Sequence, residues 1–186
     1  MKYLLLFFCC FFCFALHAQS FLNERYFGVF VQHGIPYYDL PEADSYRPTI
    51  IGAIYHLPFY QSKNKFNVGV DIMPQVALSR FNGKTVVEFG ANMQFNFNLA
   101  LSDVDIISAR GGAGPHFINI ETRRQAKGFI FSDNFALSYR RKLSEQQQVG
   151  VLFGIRHLSN AGIMQPNLGI DNLMVGVEYA HFLERP

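Results

Sequence analysis

The chain has 186 residues, 49% of them hydrophobic and 16% aromatic, with 20 Phe, 9 Tyr and no Trp. Its 16 Lys and Arg against 14 Asp and Glu give a formal charge of +2, too balanced to indicate nucleic acid as a partner. All 3 cysteines fall within the first 13 residues, so a chain trimmed beyond them is no disulfide-stapled module and must be stabilised by sheet closure and packing.

The N-terminus reads as a secretory signal peptide: Lys2 supplies the positive charge, residues 3–16 an apolar run, and Ala18 a small residue for cleavage. The run falls short of the roughly 20 residues of a membrane-spanning helix. Lipid attachment at Cys9, Cys10 or Cys13 fits less well, because none follows the small residues that it requires. We therefore expect a leader over 1–18 and a single domain over 19–186.

Weak period-two patterns at 26–33 and 48–57 are followed by a strong one. Phe66, Val68, Val70, Ile72, Pro74, Val76 and Leu78 alternate with Asn67, Gly69, Asp71, Met73, Gln75, Ala77 and Ser79. The clearest segment runs over 86–101. There Val87, Phe89, Ala91, Met93, Phe95, Phe97, Leu99 and Leu101 oppose a face made almost wholly of Asn, Gln, Glu, Gly and Ala. Further strands are expected over 104–117, 129–139, 148–157 and 172–182, the second of these with Phe129, Phe131, Phe135, Leu137 and Tyr139 on one side.

Eight strands result, several long enough to cross a bilayer, where about 9–11 tilted residues suffice. The fold predicted is all-β: an eight-stranded antiparallel up-and-down transmembrane β-barrel, whose lumen at this strand number is filled by side chains. Residues 101–104 suit a short periplasmic turn, and residues 34–47 and 160–171 suit longer outer loops. A soluble barrel with the apolar face turned inward around a ligand is the rival. The uncharged amides and glycines of the polar face suit a narrow lumen better than a water-exposed surface.

After the seventh strand stands the stretch that carries chemistry. On 148–159 the odd positions Val149, Val151, Phe153, Ile155, His157 and Ser159 share one face, which must look at lipid. His157 and Ser159 thus project from the outside of the wall, and Asp171 has the parity of Leu173, Val175, Val177 and Tyr179 on the eighth strand. With both chain ends periplasmic the cluster lies at the outer leaflet. Histidine is the side chain suited to proton transfer near neutrality, so His157 can activate Ser159 against an ester while Asp171 orients the imidazole. Asn160, Asn167 and the backbone N–H of Gly169 are the donors in reach of an oxyanion.

The pattern His157-x-Ser159-Asn160-Ala161, followed by Pro166-Asn167-x-Gly169 and Asp171, resembles the outer-membrane lipid A 3-O-deacylases, also described as acyloxyacyl-hydrolase-like proteins. The resemblance implies a barrel with its site on the lipid-facing exterior and a triad of His157, Ser159 and Asp171. It also implies an oxyanion role for Asn167, lipid A of lipopolysaccharide as substrate and surrounding outer-membrane lipid as solvent. These enzymes carry glutamate at the acid position, and Asp171 is one methylene shorter. No cofactor or metal is expected. A homodimer is compatible with the pattern, and localisation in the outer membrane of a Gram-negative bacterium follows from leader and barrel together. The rival from another class is a non-catalytic structural or adhesive barrel.

The remaining features have plainer readings. His33, His56, His116 and His181 recur at no ligand spacing and suit hydrogen bonding. Asp71 and Glu88 are expected in the lumen, with Arg110 and Arg140 as partners. Arg123, Arg124 and Lys127 form a solvated outer loop with charge suited to lipid phosphates. Gly111-Gly112-Ala113-Gly114 lies within a strand and reads as close wall packing, not a phosphate loop.

Overall fold

The computed structural model describes residues 24–37, 45–62 and 65–183. The expected leader lies outside the described residues, as does the middle of the first outer loop. Eight strands follow in order: β1 Tyr26–Pro36, β2 Thr49–Gln61, β3 Phe66–Phe81, β4 Lys84–Ala100, β5 Asp105–Ile118, β6 Gly128–Lys142, β7 Gln147–Ser159 and β8 Ile170–Phe182. Each pairs antiparallel with its sequence neighbours, and β1 pairs with β8 to close the barrel. Closure leaves no edge, which is how a sheet satisfies its backbone in lipid.

The alternation read from the sequence sorts the side chains as expected. Phe89, Met93, Phe95 and Phe97 of β4 and Val151, Phe153 and Ile155 of β7 are exposed on the outer wall, while Asn92, Asn96, Asn98 and Arg156 are buried inside. A soluble barrel built around an apolar ligand would show the reverse. At one end the loops between β2 and β3, β4 and β5, and β6 and β7 span only 62–65, 101–104 and 143–146. The long connections, 37–48, 119–127 and 160–169, sit at the other end with the tight β3–β4 turn at Asn82-Gly83.

The lumen is filled. One apolar cluster, including Tyr26, Phe30, Ile54, Met73 and Phe182, rises from the short-turn end. Another, with Tyr46, Phe81, Ile118, Ile130 and Leu158, closes the long-loop end. Buried carboxylates and guanidiniums lie among them in partnered groups, as a low-dielectric interior requires. Asp71 accepts from His56 Nδ1 at 2.6 Å and from Asn96 Nδ2 at 2.8 Å. Arg110 lies 3.7 Å from Asp71 and donates to Glu178 at 2.6 and 2.8 Å. Arg140 stands 3.7 Å from Glu178, not beside Asp71 or Glu88 as expected. Glu88 is instead held by Arg156, by His116 Nδ1 at 2.7 Å and by the Tyr46 hydroxyl at 2.8 Å. The expected pairing held for Arg110 with Asp71 and failed for Arg140 and Glu88, because parity selects which side chains enter the lumen but not their height on the tilted wall: Glu178 meets Arg140, and Arg156 reaches Glu88.

Candidate active site

The outer end of β7 carries the cluster. Its odd residues face outward, and at His157 the wall becomes half-buried because the loops lean over it. The cross-strand register sets a row on this exterior: Ala113 of β5 opposes Asp133 of β6, Asp133 opposes His157, and His157 opposes Asp171 of β8. Tyr37, whose N–H donates to the Asp171 carbonyl at 3.1 Å, continues the row. Directly paired residues have Cβ atoms about 4.5–5.5 Å apart, close enough for a short side chain to bridge.

Asp171 does bridge. Its Oδ1 lies 2.7 Å from His157 Nδ1, with the two side chains 28% and 42% exposed. The loop expected over 160–171 is shorter than the sequence implies, since β8 begins at Ile170 and puts Asp171 in the ladder itself. Direct pairing is what lets the shorter acid reach the imidazole. The carboxylate fixes the proton on Nδ1 and leaves Nε2 as the acceptor. Ser159 stands two residues on, half-buried and on the same face. Its hydroxyl makes no hydrogen bond among the described residues. A histidine anchored on one nitrogen can draw a proton from a hydroxyl brought to the other.

The β7–β8 loop is stiffened by its asparagines. Asn160 is buried, and its side chain is spent within the loop, with Nδ2 donating to the Met164 carbonyl and Oδ1 accepting from Gly162 N–H. Asn167 Oδ1 accepts the Asn160 N–H at 2.8 Å, so the NH₂ end of its amide is the end left to face elsewhere. Gly169 adopts φ 75°, and a Cβ there would come within 3.1 Å of His157 Nε2 and nearer still to Cε1. The imidazole therefore rests on the bare Cα of Gly169, a close approach that only glycine permits.

A second loop braces the first. Leu168 N–H donates to the Arg124 carbonyl at 2.7 Å, Ala126 N–H to Pro166, and Gln125 bridges Asn167. The Arg124 guanidinium then donates through Nε to the Gly169 carbonyl at 2.8 Å and through Nη2 to the Leu168 carbonyl at 3.2 Å. Arg124 thus clamps the peptide on which His157 rests, a part its charge alone did not reveal. From below, Asn172 Nδ2 donates to the Tyr46 carbonyl at 2.8 Å, tying the first loop to the strand that carries Asp171. Burial, with the Glu88 carboxylate beside it, pushes the Tyr46 hydroxyl well above its ordinary range, so it stays protonated and donates.

The structure thus brings His157 and Asp171 together, sets Ser159 on their face, and gathers Asn160, Asn167 and Gly169 around them. The sequence reading passed over Asp133, although it shares the outward parity of Phe131 and Phe135, and over Tyr37. Both line a cleft of about 460 Å³ on the outer wall with His157, Asp171, Phe135 and Ile155. Among the described residues, no group of three or more His, Cys, Asp or Glu converges as metal ligands.

The family model for lipid A 3-O-deacylases (PagL) matches residues 25–180. The fold is similar to the crystal structure of the outer membrane enzyme PagL, with a TM-score of 0.65 at 17% identity, covering 81% of this chain and 97% of that one. It is also similar to the outer membrane protein OprG from Pseudomonas aeruginosa, with a TM-score of 0.50 at 7% identity, covering 91% of this chain and 100% of that one. At such identities these two likenesses speak to the fold alone. No curated protein sequence matches the chain. The family model spans nearly the whole barrel, and the chain belongs to the lipid A 3-O-deacylase (PagL) family, ester hydrolases of the Gram-negative outer membrane.

Proposed function

We propose that this protein cuts an ester-linked acyl chain, the 3-O chain that its family description names, from lipid A by a Ser159–His157–Asp171 mechanism on its lipid-facing wall. The observation that carries the reading is the 2.7 Å bond between His157 and Asp171 on an exterior face that also bears Ser159. Polar side chains gathered on a wall that elsewhere presents hydrocarbon call for a use there.

The steps follow from the positions. Ser159 Oγ attacks the ester carbonyl while His157 Nε2 takes its proton, and Asp171 stabilises the imidazolium. The carbonyl oxygen becomes an oxyanion, for which the Asn167 NH₂ is the side-chain donor and the Gly169 backbone N–H a second candidate. Asn160 acts on the loop's shape, its own amide being used internally. Collapse of the intermediate expels the sugar alkoxide, which His157 protonates. Water, deprotonated by the same histidine, then releases the acyl chain from Ser159 as a carboxylate.

An exterior site removes an access problem. The substrate's acyl chains can lie along Ile155, Phe153 and Val151 without leaving the bilayer, and lipid tails are as apolar as those side chains, so no desolvation must be offset. Mass spectrometry of lipid A from cells expressing wild type, Ser159→Ala and His157→Ala tests the proposal. Loss of one ester-linked chain in wild type alone is expected. Three identical spectra would leave a non-catalytic barrel.

A further inference from the structure

We propose that Asp133 is a substrate-recognition residue: its carboxylate accepts a hydrogen bond from a neutral donor of the glycolipid, a hydroxyl or an amide N–H beside the scissile ester. The inference rests on the triad reading, which places the ester at Ser159.

Asp133 is exposed on the outer wall and belongs to the outward set of β6. Among the described residues its carboxylate has neither a hydrogen-bond nor an ion-pair partner. An ionised group on a lipid-facing barrel position is costly, and an unpartnered one marks a functional site by default. Its place is specific, since it stands directly across the ladder from His157. His157 does not need it, because Asp171 already holds Nδ1. The histidine therefore has a carboxylate on either side, one engaged and one free to meet something else.

The surroundings make room for that partner. On the far side Asp133 opposes Ala113, and a Cβ on neighbouring Gly111 would meet nothing nearer than 3.7 Å. These small residues leave the wall low where β4 and β6 otherwise present phenylalanines. Asp133 itself lines the cleft shared with His157, where β5 contributes only Gly112. A carboxylate offers acceptors only and repels phosphate, so the part of the glycolipid it takes is a neutral one bearing O–H or N–H. In a water-poor setting such a bond is strong, and a substrate without the donor would leave the charge unpaired.

The test uses purified, detergent-solubilised protein and four synthetic glucosamine glycolipids. The ester-linked chain carries or lacks a β-hydroxyl, and the adjacent chain is joined by an amide or by an ester. We expect wild type to prefer the donor-bearing member of one pair by roughly ten- to hundredfold in kcat/KM, and Asp133→Ala to lose that preference. The pair that shows the effect identifies the donor as hydroxyl or amide N–H. Asp133→Leu, suited to a lipid-facing position, replaces Asp133→Ala should the latter not give the heat-shifted gel band of a folded barrel. Equal loss on all four substrates, or no change on any, overturns the proposal. Ser159→Ala run alongside tests the triad separately, since its continued activity would sink that reading while leaving the donor comparison legible.

Discussion

Gly169→Ala is the sharpest perturbation that the site offers, because it adds a single methyl group and removes no chemical function. The methyl would lie 3.1 Å from His157 Nε2, 3.2 Å from Nδ1 and closer still to Cε1, so the ring must retreat by at least about 1 Å before Cε1 regains ordinary van der Waals contact at 3.4–4 Å. Moving a catalytic group by that distance costs about 10²-fold in rate. The backbone adds little beyond this. A φ of 75° costs a non-glycine residue about 1–2 kcal/mol, too little to unfold a closed barrel but enough to loosen the loop. The expected result is a protein with normal heat-dependent gel mobility whose release of fatty acid from lipid A micelles falls about a hundredfold. Activity within threefold of wild type would show that the ring does not depend on its seat, and the positional argument for His157 would fail.

Replacing Arg124 with Met removes both bonds to the Leu168 and Gly169 carbonyls, and kcat should drop about tenfold, equally on phosphorylated and dephosphorylated lipid A. A loss confined to phosphorylated substrate would return Arg124 to headgroup binding. Asp171→Ala should lower turnover by up to about 10⁴-fold, as losing the orienting acid does in other triads. Asp171→Glu, lengthened across a directly paired row, should retain part of the rate, and single-turnover measurements on both variants distinguish this from a structural loss. Glu88→Gln leaves Arg156 buried opposite a neutral amide and should destabilise the barrel by about 3–5 kcal/mol, read as a lower urea midpoint in detergent.

The barrel was legible because period two is a strong signal over thirteen or more residues, as in Phe66–Phe81 and Lys84–Ala100, and because lipid outside and amides inside give the two faces opposite compositions. The placement of His157, Ser159 and Asp171 on one exterior face followed from parity alone. Register was not legible. It decides that Asp133 and Asp171 flank His157 and that Arg156, not Arg110, reaches Glu88, and it depends on strand tilt and turn length around a closed sheet. The roles of Arg124 and Gly169 were hidden for another reason. They act through backbone carbonyls and a bare Cα, which leave no mark on residue chemistry.

The account depends on Ser159 acting as a nucleophile from the hydrocarbon side of the wall. A long-chain alkyl fluorophosphonate delivered in bilayers tests this directly, with the labelled peptide mapped by mass spectrometry. The account predicts a phosphonyl adduct on Ser159, formed by displacement of fluoride and reduced at least a hundredfold in His157→Ala. An adduct on another residue, or equal labelling of Ser159 with and without His157, would contradict it.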